Sequence, residues 1–151
     1  MTRALLLDTH VLLWALTQPE KLTARARLLL ADRKVDLFVS AASAWEIATK
    51  HRIGKLPGVE RIMSDFEQHV DRLGAHTLSI TPAHALAAGQ LDWHHRDPFD
   101  RVLAAQAQLE QLPFMTADPV FGERRPHSGS SLSVVTRSAS PRFIGDVGAR
   151  R

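Results

Sequence analysis

The chain has 151 residues, of which 44% are apolar, with no cysteine and a formal net charge of +3. That length suffices for one domain with a sizeable core, and the missing cysteine excludes a disulfide scaffold, a thiolate metal site and a cysteine nucleophile. No apolar stretch approaches the roughly 20 residues needed to span a bilayer, and the N-terminus lacks a basic region leading into an apolar run and cleavage site, so a cytoplasmic protein without a membrane partner is expected.

The apolar run Ala4 to Leu7 is short and continuous, as in a strand buried on both faces. It stops on one carboxylate, Asp8. A helix follows, with Thr9 as its expected cap and Val11, Leu12 and Ala15 on one face. Thr23 to Lys34 reads as a second helix capped by Thr23. Asp36 to Val39 reads as a second strand. Ser40 or Ser43 caps a helix running to about Arg52, with Gly54 as its stop. Val59 to Leu73 is expected as one amphipathic helix, because Ile62, Phe66, Val70 and Leu73 fall on one side of it. Thr77 to Thr81 is a third strand candidate, and Pro82 opens a helix to about Gln90. A polar loop, His94 to Pro98, leads into a strong helix from Phe99 to Gln111. Pro113 to Thr116 is a short strand ending near Asp118. This alternation predicts an α/β fold, a parallel sheet with helices on both faces.

Charge is uneven along the chain. Residues 122–151 carry six Arg against Glu123 and Asp146, whereas residues 1–121 carry 13 Lys and Arg against 14 Asp and Glu. A nucleic-acid footprint on the folded part must then come from arrangement rather than net charge. The segment from Gly122 is rich in Arg, Ser and Gly, offers only Leu132 to Val135 as a strand, and is otherwise expected to be mobile.

Four acids stand out. Asp8 and Asp118 follow strand candidates, while Glu46 and Asp100 lie early on helices that begin near a strand's carboxyl end. In an open α/β sheet those ends share one crevice. Carboxylates gathered there need a positive neutraliser, and an oxygen-only ligand set favours Mg²⁺ or Mn²⁺ over zinc. Such a site suits phosphodiester hydrolysis. Each acid also has an ordinary reading: Asp8 as a turn acid, Glu46 paired with Lys50 four residues on, Asp97 as the cap of the helix after Pro98, and Asp118-Pro119 as turn chemistry. A phosphatase that phosphorylates the aspartate after its first strand would want a second Asp two residues later, where this chain has His10.

The wording LLLDTHVLLW, then SAASAWEIATKHRIGKL, then HHRDPFDRVLAAQAQLEQLPFMTAD, resembles the PIN-domain family, and within it the VapC-type toxins of bacterial type II toxin–antitoxin pairs. The three stretches fall in family order across residues 4–121. The resemblance implies an α/β/α sandwich with a central, mainly parallel sheet, occupying residues 1–136 ahead of a basic tail at 137–151, with divergence from the family beginning near residue 122. It implies a Mg²⁺- or Mn²⁺-dependent ribonuclease whose catalytic and metal-holding acids match Asp8, Glu46, Asp100 and Asp118. Asp97 and Thr116 are expected to support those ligands, and Arg96 and Arg101 to contact RNA phosphates. His94 and His95 are expected to be solvated or to touch substrate. Trp14, Trp45 and Trp93 are expected to be partial core. The family implies inhibition by a cognate antitoxin, heteromeric assembly with it, and a homodimer. The other functional class is a PIN fold that binds antitoxin or RNA without cutting.

Overall fold

A computed structural model of the protein describes residues 3–117 and the backbone of a short strand at 133–135. Five strands form one sheet: β1 (Arg3–Leu7), β2 (Val35–Ser40), β3 (Ala75–Leu78), β4 (Phe114–Thr116) and β5 (Ser133–Val135), in the order β3-β2-β1-β4-β5. The first four run parallel, and β5 pairs antiparallel with β4. β1 is central because its apolar run suits burial on both faces. Leu5 and Leu7 pack into one hydrophobic layer and Leu6 into the other, as the two-residue period of a strand requires. Truncating a leucine as enclosed as Leu6 costs about 2–5 kcal/mol in comparable cores.

The layer under Leu5 and Leu7 is built by α1 (Thr9–Thr17), α2 (Ala24–Ala31), α4 (Glu60–Ser64) and α5 (Phe66–Arg72). The layer under Leu6 is built mainly by α6 (Pro82–Gln90) and α7 (Pro98–Leu109), with Phe114 of β4. Helix α3 (Ala41–Arg52) reaches both, with Ile47 in the first and Ala42 in the second. The result is the expected α/β/α sandwich.

Local chemistry sets several element ends. The Thr23 hydroxyl accepts from the Ala26 N–H and caps α2, and the Ser40 hydroxyl accepts from the Ala42 N–H and caps α3. Gly54, at φ 77°, follows α3 and donates its N–H to the His51 carbonyl at 3.0 Å, a backbone conformation that favours glycine.

Two expectations fail here. Thr9 does not cap α1. The cap is Asp8, which makes no side-chain capping bond, and the Thr9 hydroxyl instead donates to Ser43 Oγ at 2.9 Å. The single helix expected across residues 59–73 is broken between α4 and α5 at Asp65 (φ −125°, ψ 37°). Ser64 Oγ donates to the Arg61 carbonyl at 3.1 Å and to Asp65 at 3.3 Å, the local competition that makes Ser and Asp poor helix-interior residues. Asp118, the last of the four acids, and the basic segment 137–151 lie outside the described residues.

Candidate active site

β1 and β4 are parallel neighbours, and the Asp8 N–H donates to the Met115 carbonyl at 2.9 Å. That bond sets Asp8 at the carboxyl end of the central strand, level with the end of β4. The Thr116 hydroxyl donates to Asp8 Oδ2 at 2.8 Å and fixes the carboxyl from the adjacent strand. Asp8 is only 3% exposed. Burial raises its pKa and the nearby Glu46 charge adds to this, against the hydrogen bond from Thr116 and the attraction of His10.

Glu46 reaches the same end of the sheet from α3, whose first turn is tied to α1 by the Thr9–Ser43 bond. It is buried, and Lys50, one turn along, is bonded to its Oε2. Burial works against the Lys50 ammonium, but the Glu46 carboxylate outweighs it, with Asp97 and Asp100 adding, so the Lys50 pKa is raised. The other Glu46 oxygen, Oε1, is buried and has no hydrogen-bond partner among the described residues. A buried carboxylate oxygen left in that state is costly, and a cation would satisfy it.

Asp100 comes from the first turn of α7. Asp97 caps that helix: its Oδ1 accepts the Phe99 N–H at 2.9 Å and the Asp100 N–H at 3.2 Å. Asp100 Oδ2 pairs with His95 Nε2 at 2.5 Å. Its pKa is pushed up to about 6, chiefly by burial, with Asp97, Asp8 and Glu46 adding against the His95 hydrogen bond. So Asp100 feels the charges of Asp8, Glu46 and Asp97, and Asp8 feels that of Glu46. Among the described residues, however, no three His, Asp or Glu side chains converge as a ready ligand set.

The donor chemistry fits a hard divalent cation. Asp8, Glu46 and Asp100 offer carboxylate oxygens, and the unpartnered Glu46 Oε1 is the specific vacancy in their hydrogen bonding. A cavity of about 730 Å³ lies elsewhere, by the amino ends of β2 and β3, where Arg27, Arg33, Arg72 and His76 are among its lining residues; none of the four carboxylates just named borders it.

Arg101 has a different task from the expected phosphate contact. Its guanidinium donates to five main-chain carbonyls: Ala88, Gly89, Leu91, Trp93 and His95, at 2.7 to 3.4 Å. A guanidinium has five N–H donors, so its hydrogen-bonding capacity is spent on the turn between α6 and α7. That turn carries His95 to Asp100. Arg96 is exposed on the same loop. The Trp93 and His95 rings lie in contact, tilted by 38° with centroids 4.7 Å apart. Trp14 and Trp93 are partly buried, but Trp45 is 52% exposed, which overturns its reading as partial core. It packs edge-to-face on Phe99, with centroids 4.6 Å apart. Sequence reasoning missed the His95–Asp100 pairing; its one signal was a histidine five residues ahead of the acid.

Residues 5–125 match the PIN domain. The chain belongs to the PIN-domain family. Among curated proteins, the chain is 41% identical over 58 residues to Ribonuclease VapC16 of Mycobacterium tuberculosis, an aligned stretch covering 38% of this chain and 41% of that relative. Among solved structures, it is similar to a chain of VapBC2 from Rickettsia felis, crystallised bound to a DNA fragment from their promoter. The TM-score is 0.57 at 16% identity, over 78% of this chain and 90% of that one. At that identity the likeness speaks for the PIN fold alone. No helix among the described residues is long and apolar enough to cross a membrane.

Proposed function

We propose that this PIN-domain protein is a metal-dependent endoribonuclease, the toxin of a type II toxin–antitoxin pair. The observation that carries the chemistry is at the carboxyl end of β1, where Asp8, Glu46 and Asp100 are held within one another's electrostatic reach and Glu46 Oε1 has no partner among the described residues. The local likeness to a protein named a ribonuclease supports RNA as the substrate. The likeness to a VapBC2 chain fits an antitoxin partner. A homodimer, with the antitoxin bound to it, completes the assembly we infer.

Asp8, Glu46 and Asp100 would hold Mg²⁺ or Mn²⁺, with Asp118 completing the set. A divalent cation bound there supplies Lewis-acid polarisation of a phosphoryl oxygen and a more acidic water. The chain's own residues do the positioning. Thr116 fixes the Asp8 carboxyl, His95 holds Asp100, and Asp97 sets the start of α7. Lys50 supplies the counter-charge to Glu46 and must yield part of it when a cation arrives. No side-chain nucleophile is required: in metal-assisted hydrolysis water would attack the phosphorus and the ribose 2′-hydroxyl would not be used. The products are then 3′-hydroxyl and 5′-phosphate ends.

The test is cleavage of total RNA by the purified chain with Mn²⁺, with Mg²⁺ and with chelator, beside Asp100→Asn. Cleavage that needs the metal, is lost in the variant and leaves 5′-phosphate ends is the expected result. A folded, cation-binding wild type that cuts nothing across total RNA would favour the silent binding module, the reading to which the Lys50–Glu46 pair lends support. Ends bearing a 2′,3′-cyclic phosphate would contradict the water mechanism.

A further inference from the structure

Trp45 is the one bulky apolar residue both strongly exposed among the described residues and adjacent in sequence to a site acid. It precedes buried Glu46 on α3, and its ring partner Phe99 precedes Asp100 on α7. The indole therefore lies against both acid-bearing helices. Its edge-to-face contact with Phe99, itself buried, holds the ring in place while about half of the residue's surface stays open. Covering a flat aromatic surface of this kind is favourable, and nothing in the described fold completes that cover.

Charge indicates what does. A cation held by the acids would draw the scissile phosphate, but the flanking nucleotides need contacts of their own. Two cations beside the acids are engaged, Lys50 on Glu46 and Arg101 on five carbonyls, while Arg96 is exposed on the loop ahead of α7. The exposed indole beside the acids offers the substrate a further contact, to a part of the nucleotide that carries no charge. Every base has a π-face, and an exposed aromatic side chain is the usual platform for one. Thr49 and Arg52 follow Trp45 by four and seven residues, which brings them round to the same side of α3. Arg52 is exposed about 10 Å along the helix axis, placed to meet a neighbouring phosphate of the same strand.

We propose that Trp45 is the platform on which an unpaired base next to the scissile phosphodiester stacks, with Arg52 on the flanking phosphate. This rests on the nuclease reading and adds to it a base-binding subsite.

Two measurements test it on the full chain. The first is steady-state cleavage of a randomised single-stranded RNA 10-mer pool by wild type, Trp45→Ala and Trp45→Phe. KM is expected to rise about ten-fold or more in Trp45→Ala with kcat little changed, and to rise less in Trp45→Phe, since stacking is an aromatic property. The second uses a Trp14→Phe/Trp93→Phe chain, in which Trp45 is the only fluorophore of its kind. Its emission is expected to be quenched by the single-stranded pool and not by a duplex of the same length.

An unchanged KM in Trp45→Ala together with no quenching overturns the platform. So does a variant that keeps its RNA kinetics but loses a co-purifying protein, because the indole would then serve a protein interface. If Trp45→Ala fails to fold, Trp45→Phe and the quenching decide. If wild type cuts no RNA at all, the nuclease reading falls by itself, and quenching by the single strand alone still separates a base platform from a bare surface ring.

Discussion

Asp100 couples the site to pH. Its carboxyl titrates near 6 in the folded chain, raised by burial and by neighbouring acids, whereas an aspartate in an unfolded chain titrates near 4. Between those values the folded state holds a proton that the unfolded state releases. The cation-free protein therefore loses stability from this group as pH rises from about 4 to about 6, and the penalty is fully developed above that. Asp100→Asn removes the group and its charge. Thermal melts in chelator should show the variant gaining over wild type at pH 7.5, with the gain shrinking at pH 5. A gain of the same size at both pH values would mean that Asp100 is not the group responsible.

At the scale of elements, α7 places the site, and Asp97 places α7. Its Oδ1 accepts two main-chain N–H groups of the first turn, a cap whose removal typically costs about 1 kcal/mol. Asparagine caps as well as aspartate but carries no charge. Asp97→Asn should therefore keep both the melting temperature and cation affinity close to wild type, while Asp97→Ala should lower the melting temperature by a few degrees. If Asp97→Asn lost cation binding outright, Asp97 would be a ligand and not only a cap. This capping role was legible in the sequence, because Asp-Pro ahead of an Ala- and Leu-rich run is a local signal. So was the position of Asp8, since an apolar run of that length and continuity has few places in a fold other than a central strand. Arg101 was not legible. Its five acceptors are carbonyls of a turn whose course no local pattern encodes, and a lone Arg after an acid reads as readily as a phosphate contact. Nor was the Thr9–Ser43 bond, which joins residues 34 positions apart. The break at Asp65 was hidden because apolar spacing continues through it while Ser64 and Asp65 turn the backbone away. The exposure of Trp45 was hidden for the opposite reason: a tryptophan in an apolar motif looks like core until the neighbouring helix covers only one side of it.

For the whole molecule, the PIN match ends at residue 125, yet β5 at Ser133–Val135 extends the sheet beyond that point. We propose that the domain boundary falls after it, at about residue 136, ahead of the basic residues 137–151. Deleting residues 137–151 should leave the melting temperature, RNA affinity and its salt dependence unchanged. Deleting 133–151 should lower the melting temperature, because the edge of β4 loses its partner strand. A weaker salt dependence after the shorter deletion would instead make the tail's Arg residues part of the RNA contact.

The proposed chemistry requires that the carboxylates at the end of β1 bind a divalent cation in place of protons and of Lys50. The most direct measurement is calorimetric titration of the RNA-free protein with Mn²⁺ at pH 7.5 and pH 5.5, beside Asp8→Asn and Glu46→Gln. Binding at pH 7.5 that weakens at pH 5.5, where Asp100 takes up its proton, and that is lost or strongly weakened in both variants is the predicted result. Binding indifferent to all three changes would put the cation elsewhere and remove the basis for the nuclease mechanism.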